Sequence, residues 1–538
     1  MMDSNKNKNF ELRYEVFAPV CFFYALFYAL CLYKNMSGIT FPFFTAGTAG
    51  FLAYCSARCG ITWKKRNYYT LTMMMALSVS TCMTAEPLVI AANWVLYVVL
   101  LIWLDTSLFL DTDGWTVHGA AGVFVKTLFG SIGKAFAVFS DHFDRNELDM
   151  EEQAMDPGKE PRKKNRLFQS MVGLMVSVPL IIVIVVLLMS ADEVFRKDVE
   201  HMLGTFRMAD IVCIVLLICA VYMLSYGMLS MLSSEQTDHA KEENEKHSPA
   251  AASAAVLIIA VIYVYFSWIQ FSYLFMHGQK LPDGMSYASY ARSGFFQLLA
   301  VCLINLVIVA VMMYLFKKNR LMQLLLIVIS LCTIVMTCSS TMRMLMYIDM
   351  YAMTFLRLTV LWTLAGIAWV MAFLTVKLAA DRFPAAKVIL GGAAIWYLVF
   401  VFCRPGQFVA RYDMNMGGDF ADEDYLEQLS LDSVPEVITE QEAADYGKYS
   451  RELDSLHVRY DTDGFDDDII DADPDYGKIG HEGEGNHEYA VRYRKLCAVR
   501  PVHYEYIKAM KEKLAKTDST WRTWNLSRSR AAKLLDTD

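Results

Sequence analysis

The chain has 538 residues, 55% of them hydrophobic and 13% aromatic, with a net charge of −8. Length alone would allow several soluble domains, but apolar residues this abundant and this clustered exclude a purely soluble reading. The charge is also divided: residues 404–538 hold 18 Lys and Arg against 29 Asp and Glu, so the preceding residues are mildly basic, and the acidic end disfavours nucleic acid or anionic lipid as its partner.

A bilayer core requires about 20 mostly apolar residues per helical crossing. Such windows recur at 15–33, 37–56, 68–84, 88–110, 168–190, 208–233, 250–276, 295–316, 321–342, 353–377 and 386–403, and none follows. The fold class predicted is an all-α polytopic membrane protein, a bundle of about eleven transmembrane helices with a small, mainly α, acidic soluble domain at its C-terminus. The first window follows Lys6, Lys8 and Arg13 as a secretory signal would, but it lacks a small-x-small cleavage site and is followed at once by a second apolar window, so it reads as a retained helix. Eleven of the twelve cysteines lie in or beside apolar stretches, and Cys497 stands alone in the tail. With no CxxC pair, neither a disulfide framework nor a zinc ribbon is expected.

Orientation follows from Lys and Arg, which resist translocation. They collect at Lys6–Arg13, Arg58–Arg66, Lys126–Arg166, Lys241–Lys246, Lys317–Arg320 and Lys377–Lys387, whereas the alternate connections carry only Lys34, Arg196, Lys197, Arg207, Lys280, Arg292 and Arg343. The N-terminus is therefore expected in the cytoplasm, and an odd number of crossings places the tail outside.

Four regions are expected: an N-terminal four-helix membrane segment over 1–110, a cytoplasmic connection over 111–167, a main membrane domain of about seven helices over 168–403, and the acidic tail over 404–538. In the connection, Phe124, Leu128, Ile132, Phe136 and Phe139 recur at helical spacing, which predicts an interfacial helix that Gly130 and Gly133 weaken. A charged linker with Pro157, Gly158 and Pro161 follows. In the tail, Arg404-Pro405-Gly406 ends the last crossing, and Val502, Tyr506, Met510 and Leu514 predict a helix.

Several of these segments resemble one known pattern. Gln270-Phe271-Ser272-Tyr273-Leu274-Phe275, Leu281-Pro282-Asp283-Gly284 and the run from Tyr287 to Leu298 are similar to the core signature of a bacterial multi-pass membrane family described as a domain of unknown function, the 4153/4173 type. Arg343–Tyr347 with Tyr351–Arg357 resembles its second signature, in which Gly and Leu stand where this chain has Ala352 and Met353. Phe408–Tyr412, Asp424–Leu426 and Val434-Pro435 resemble the segment after the family's last crossing, and Trp521–Arg530 its closing motif. The resemblance implies a fold and a membrane location without an activity.

Ionisable groups in a bilayer usually face a protein interior, a cavity or a partner charge. The main candidates are Arg343, Tyr347, Asp349, Tyr351, Thr354 and Arg357, either a polar lining that binds an anion through the two arginines or a helix-turn-helix at headgroup level. Tyr287, Tyr290, Arg292, Gln297 and Asn305 form a second group, with Gln297 and Asn305 suited to interhelical hydrogen bonds. Glu86, Asn93 and Asp105 do not make the chain of acids that a proton path requires. Asp471, Asp473, Asp475 and Glu482 are spaced like calcium ligands, but Tyr476 occupies the place that needs Gly, so a solvated loop is expected.

No Walker loop, Rossmann fingerprint, HExxH or nucleophile elbow occurs, and no enzyme, cofactor or metal site is expected. The remaining readings are a non-enzymatic envelope scaffold or sensor with an interaction tail, its partners the lipid bilayer and a protein, or a transporter or lipid-handling protein with a cavity lined by Arg343 and Arg357.

Overall fold

The computed structural model describes residues 13–110, 117–141, 208–234, 250–272, 295–316, 319–380, 385–416, 423–461 and 495–535, with Phe139 and 518–519 excepted, and a few isolated positions elsewhere. Every described element is helical. By internal contacts the chain forms two compact units: residues 1–82, 88–242 and 520–524 in one, and residues 83–87, 243–519 and 525–538 in the other.

The first unit contains α1 (Tyr14–Leu32), α2 (Thr40–Arg58), α3 (Lys65–Met83), α4 (Pro87–Phe109), α5 (Val117–Gly133) and α6 (Met208–Ser234), except the last residue of α3 and the first of α4, which belong to the second unit. Helix α1 packs on α6 through Phe17, Ala18, Cys21, Phe22 and Ala25 against Tyr222, Tyr226 and Leu229. The two alanines, with no exposed surface, let the helices approach closely. Helices α2 and α4 meet through Phe41, whose ring stacks on Trp94 at 4.5 Å. Helix α5 turns Val123, Thr127 and Ser131 inward and the residues after it bury Ala135 and Val138, while Ile132 and Phe136 stay exposed. Of the two glycines expected to weaken this region, Gly130 permits its packing, since a Cβ there would lie 2.7 Å from the Met231 sulfur, whereas Gly133 faces open space; on α6, a Cβ at Gly227 would lie 2.7 Å from the Ser131 carbonyl oxygen.

The second unit contains α7 (Ala250–Phe271), α8 (Phe295–Leu315), α9 (Arg320–Tyr351), α10 (Phe355–Ala379) and α11 (Ala385–Phe402), then the shorter α12 (Pro405–Asn415), α13 (Glu423–Gln428), α14 (Val434–Val437), α15 (Glu440–Asp461), α16 (Tyr504–Ala515) and α17 (Leu526–Leu535). Helix α9 is its axis and packs on α7, α8 and α10. Met344, Ile348, Met353, Val360 and Leu364 from α9, α10 and their turn share one core with Val409, Leu426, Leu429, Val434, Ile507, Met510 and Leu535. The hydrophobic core of this unit thus continues through residue 403 into the acidic segment.

Ten of the predicted windows coincide with helices, and the window at 168–190 lies outside the described residues apart from 188–189. Among the described residues, seven helices are long and apolar enough to cross a membrane: α1, α4, α6, α7, α8, α9 and α10. Helices α11 and α12 pass that test only as a pair bent by 53°. Helix α3 falls short because Thr70, Ser78, Ser80 and Thr81 line its buried face, where a lone crossing would carry aliphatic side chains.

Candidate functional site

Helix α9 runs unbroken through Tyr351, so Arg343, Tyr347 and Tyr351 share the face expected of i, i+4, i+8 positions. The turn follows at Ala352, whose φ of 63° and ψ of 176° belong to a region that L residues seldom occupy. Thr354 caps α10 by accepting from the Arg357 amide, 3.3 Å away, and Asp349 is exposed.

The two arginines have different partners. Buried Arg343 donates from Nη2 to Gln270 Oε1 on α7 at 3.1 Å, and Ser339 Oγ donates to the same oxygen at 2.7 Å. Gln270 and Arg343 come from the two segments whose resemblance to one family was noted separately, and here they touch. Arg357 folds back over the turn, donates to the carbonyl oxygens of Tyr351 and Ala352, and lies 4.4 Å from the Tyr347 ring centroid. It neutralises the negative end of the α9 dipole and satisfies carbonyls that the helix leaves without amide partners.

The turn is held from below by the tail. Met353 N–H donates to Asp413 Oδ1 at 2.7 Å, and Phe355 N–H to the Tyr425 hydroxyl at 2.6 Å. Burial pushes the Asp413 carboxyl from 3.8 up to about 6, against the opposing pull of the Met353 amide and of Arg357.

In the second predicted group, Asn305 is fully buried and donates to Thr333 Oγ1 on α9 at 2.9 Å, an interhelical bond of the kind expected; Gln297 faces outward. Tyr287, Tyr290, Arg292, Asp471, Asp473, Asp475 and Glu482 lie outside the described residues. Asn93 binds Ser80 and Thr81 on α3 at 3.1 and 2.9 Å, and Asp105 is buried in α4. Among the described residues, no three His, Cys, Asp or Glu converge as metal ligands would.

A buried polar centre escaped the sequence reading. Asp432, with no exposed surface, accepts from Thr84 Oγ1 and from the Ala85 amide at 3.0 Å, and stands 3.5 Å from Arg404 Nη2. Arg404 takes a left-handed backbone, φ 52°, between the bent helices α11 and α12, and also donates to Ser527 Oγ. Ser527 Oγ donates onward to the Met83 carbonyl at 2.9 Å, and Asn525 Nδ2 to that of Thr84 at 2.9 Å. Residues 83–87, which join α3 to α4, are therefore clasped by the tail. Burial raises the neighbouring Glu86 carboxyl above its usual range and lowers the Lys513 ammonium below its own, and Lys513 donates to the Glu427 and Leu429 carbonyls at 2.5 and 2.7 Å.

A second fastening lies within the first unit, to which residues 520–524 belong. Buried Asn35, between α1 and α2, donates from Nδ2 to the Arg522 carbonyl at 2.8 Å, Arg522 Nη2 donates to the Tyr33 carbonyl at 3.1 Å, and Ile39 N–H to the Trp524 carbonyl at 2.8 Å. A Cβ at Gly38 would stand 2.2 Å from the Arg522 oxygen, so only glycine fits. The segment Trp521–Arg530 supplies both fastenings, and its resemblance to a closing motif was the one sequence signal for them.

Among the described residues, seven helices long and apolar enough to cross a membrane, with amides and hydroxyls spent on helix-to-helix bonds, are consistent with a multi-pass helical membrane protein. Its sequence matches the family described as "Domain of unknown function (DUF4153)" over residues 60–440, and the chain belongs to that family. No curated protein and no solved structure matches it.

Proposed function

We propose that the protein is a non-enzymatic membrane scaffold or sensor whose tail is fixed to the bilayer face opposite the N-terminus and offers an interaction surface there. The observation that carries this reading is the attachment of the tail to two particular connections. Arg522 binds the end of α1, one crossing from the N-terminus, and Asp432 binds the 83–87 connection, three helices from it. Both connections follow an odd number of helices, and the Lys and Arg bias makes the opposite face cytoplasmic.

The same logic supports the crossing at 168–190. The Lys34 ammonium meets Asp210 Oδ1 at 2.5 Å, bringing the start of α6 to the end of α1, whereas Arg66 Nη2 donates to the Ser107 carbonyl at 3.3 Å, keeping the end of α4 beside the start of α3. Helix α4 thus ends beside the start of α3, and α6 starts beside the end of α1.

A scaffold is favoured over a transporter because Arg343 engages Gln270 and Arg357 engages helix-end carbonyls. Liposomes loaded with a fluorescent anion test the choice. A scaffold gives efflux no faster than protein-free vesicles, and Arg343→Ala with Arg357→Ala reduces the yield of folded protein. Anion efflux by the wild type, lost in a monodisperse double variant, refutes it in favour of the cavity.

A further inference from the structure

We infer that Trp521 and Trp524 form a lipid anchor: the end of the acidic tail returns to the bilayer and sets two indoles among the headgroups beside the α1–α2 connection. Two hydrogen bonds to the Arg522 and Trp524 carbonyls, a third from the Arg522 side chain and the bare Cα of Gly38 hold residues 522–524, and Thr520 and Thr523 cap the short 3₁₀ turn reciprocally. On this rigid frame the Trp521 side chain is 71% exposed and that of Trp524 42% exposed. Tryptophan presents a large apolar face with one N–H and favours the membrane–water boundary over either bulk phase.

The depth follows from the residues to which the clip is bound. Helix α1 has 19 residues, a rise of about 28 Å, close to the ~30 Å hydrocarbon core. Tyr33, the residue immediately after it, is then at the boundary, and the Arg522 side chain is bonded to its carbonyl. In the ends of α1 and α2 and the connection between them, apolar Leu30, Met36 and Phe43 are each at least 60% exposed. Trp94, whose Nε1 donates to the Met36 carbonyl at 2.8 Å, occupies the same level. A bilayer reaching α1 and α2 meets the two indoles as well, so the occupant to which this surface is matched is the lipid headgroup layer.

The test places the photoreactive residue p-benzoylphenylalanine in the full-length chain in cells at position 521, at 524, or at 88, where exposed Leu88 on α4 marks the lipid control. After irradiation and purification, intact mass is measured. The anchor predicts phospholipid-sized adducts at 521 and 524 as well as at 88. A protein adduct at 521 and 524 overturns the proposal in favour of a docking surface for a partner, and adducts at 88 alone overturn it in favour of a solvated clip. The variants replace exposed side chains, and a monodisperse elution profile checks that they fold.

Discussion

Ala352→Gly should strengthen the α9–α10 turn. Ala352 holds φ 63° and ψ 176°, a conformation natural to glycine alone, and an L residue confined there stores about 1–3 kcal/mol of strain. Glycine relieves it but adds about 0.4–1 kcal/mol of unfolded-state entropy, leaving a net gain of roughly 1 kcal/mol, equivalent to about five-fold in an opening equilibrium. The readout is hydrogen exchange of the amides that lock the turn: Met353 N–H on Asp413 and Phe355 N–H on Tyr425. Both should exchange about five-fold more slowly in the variant, while amides within α4 keep their rates. Unchanged or faster exchange at these two positions would show that the turn is not strained and that the alanine costs nothing.

Asp413 makes the same junction pH-dependent. Its carboxyl, raised by burial from 3.8 to about 6, binds protons more readily in the folded state; the associated stability is therefore complete below about pH 4 and lost as pH rises through 6. The groups facing it are Arg357, Tyr412 and Tyr425. Thermal unfolding between pH 4.5 and 7.5 should show a decline that Asp413→Asn flattens, the span being roughly 3 kcal/mol at most; parallel curves would contradict this. Gly38→Ala should dislodge the clip, since its Cβ would meet the Arg522 carbonyl at 2.2 Å, whereas Gly50→Ala, with nothing within 4 Å, should be neutral or stabilising. Protection of the Ile39 amide, bonded to the Trp524 carbonyl, should fall at least ten-fold in the first variant and hold in the second.

What was legible in the sequence is what hydrocarbon imposes locally. An apolar window declares a helix whatever its neighbours are, and α1, α4 and α8 lie within a few residues of their predicted bounds. Four-residue spacing likewise found α16, where Tyr506 and Met510 are buried, though Val502 precedes the helix and is exposed. Polar partnerships were not legible, because a hydrogen bond between residues 35 and 522 or 84 and 432 has no period and no spacing. Arg404-Pro405-Gly406 was readable only as the end of a helix; its buried guanidinium acquires meaning from Asp432 and Ser527. At Ala352 the family signature has glycine and this chain has alanine. The glycine is absent, yet the turn that calls for glycine still forms, because Arg357, Asp413 and Tyr425 hold the backbone in place.

Breaking a buried, hydrogen-bonded charge pair costs about 3–5 kcal/mol, so the Arg404–Asp432 clasp is a fixture of the folded tail, and the tail's position follows that of residues 83–87. Labelling with a membrane-impermeant maleimide measures that position most directly. In a protein whose exposed Cys213, Cys338 and Cys403 are changed to serine, exposed Cys497 remains as the reporter of the tail, and Arg13→Cys in a companion chain that also carries Cys497→Ser reports the N-terminus. Intact cells should label Cys497 and leave the cysteine at position 13 untouched until lysis. Labelling of both, or of neither, before lysis would put the two termini on one face and contradict the account.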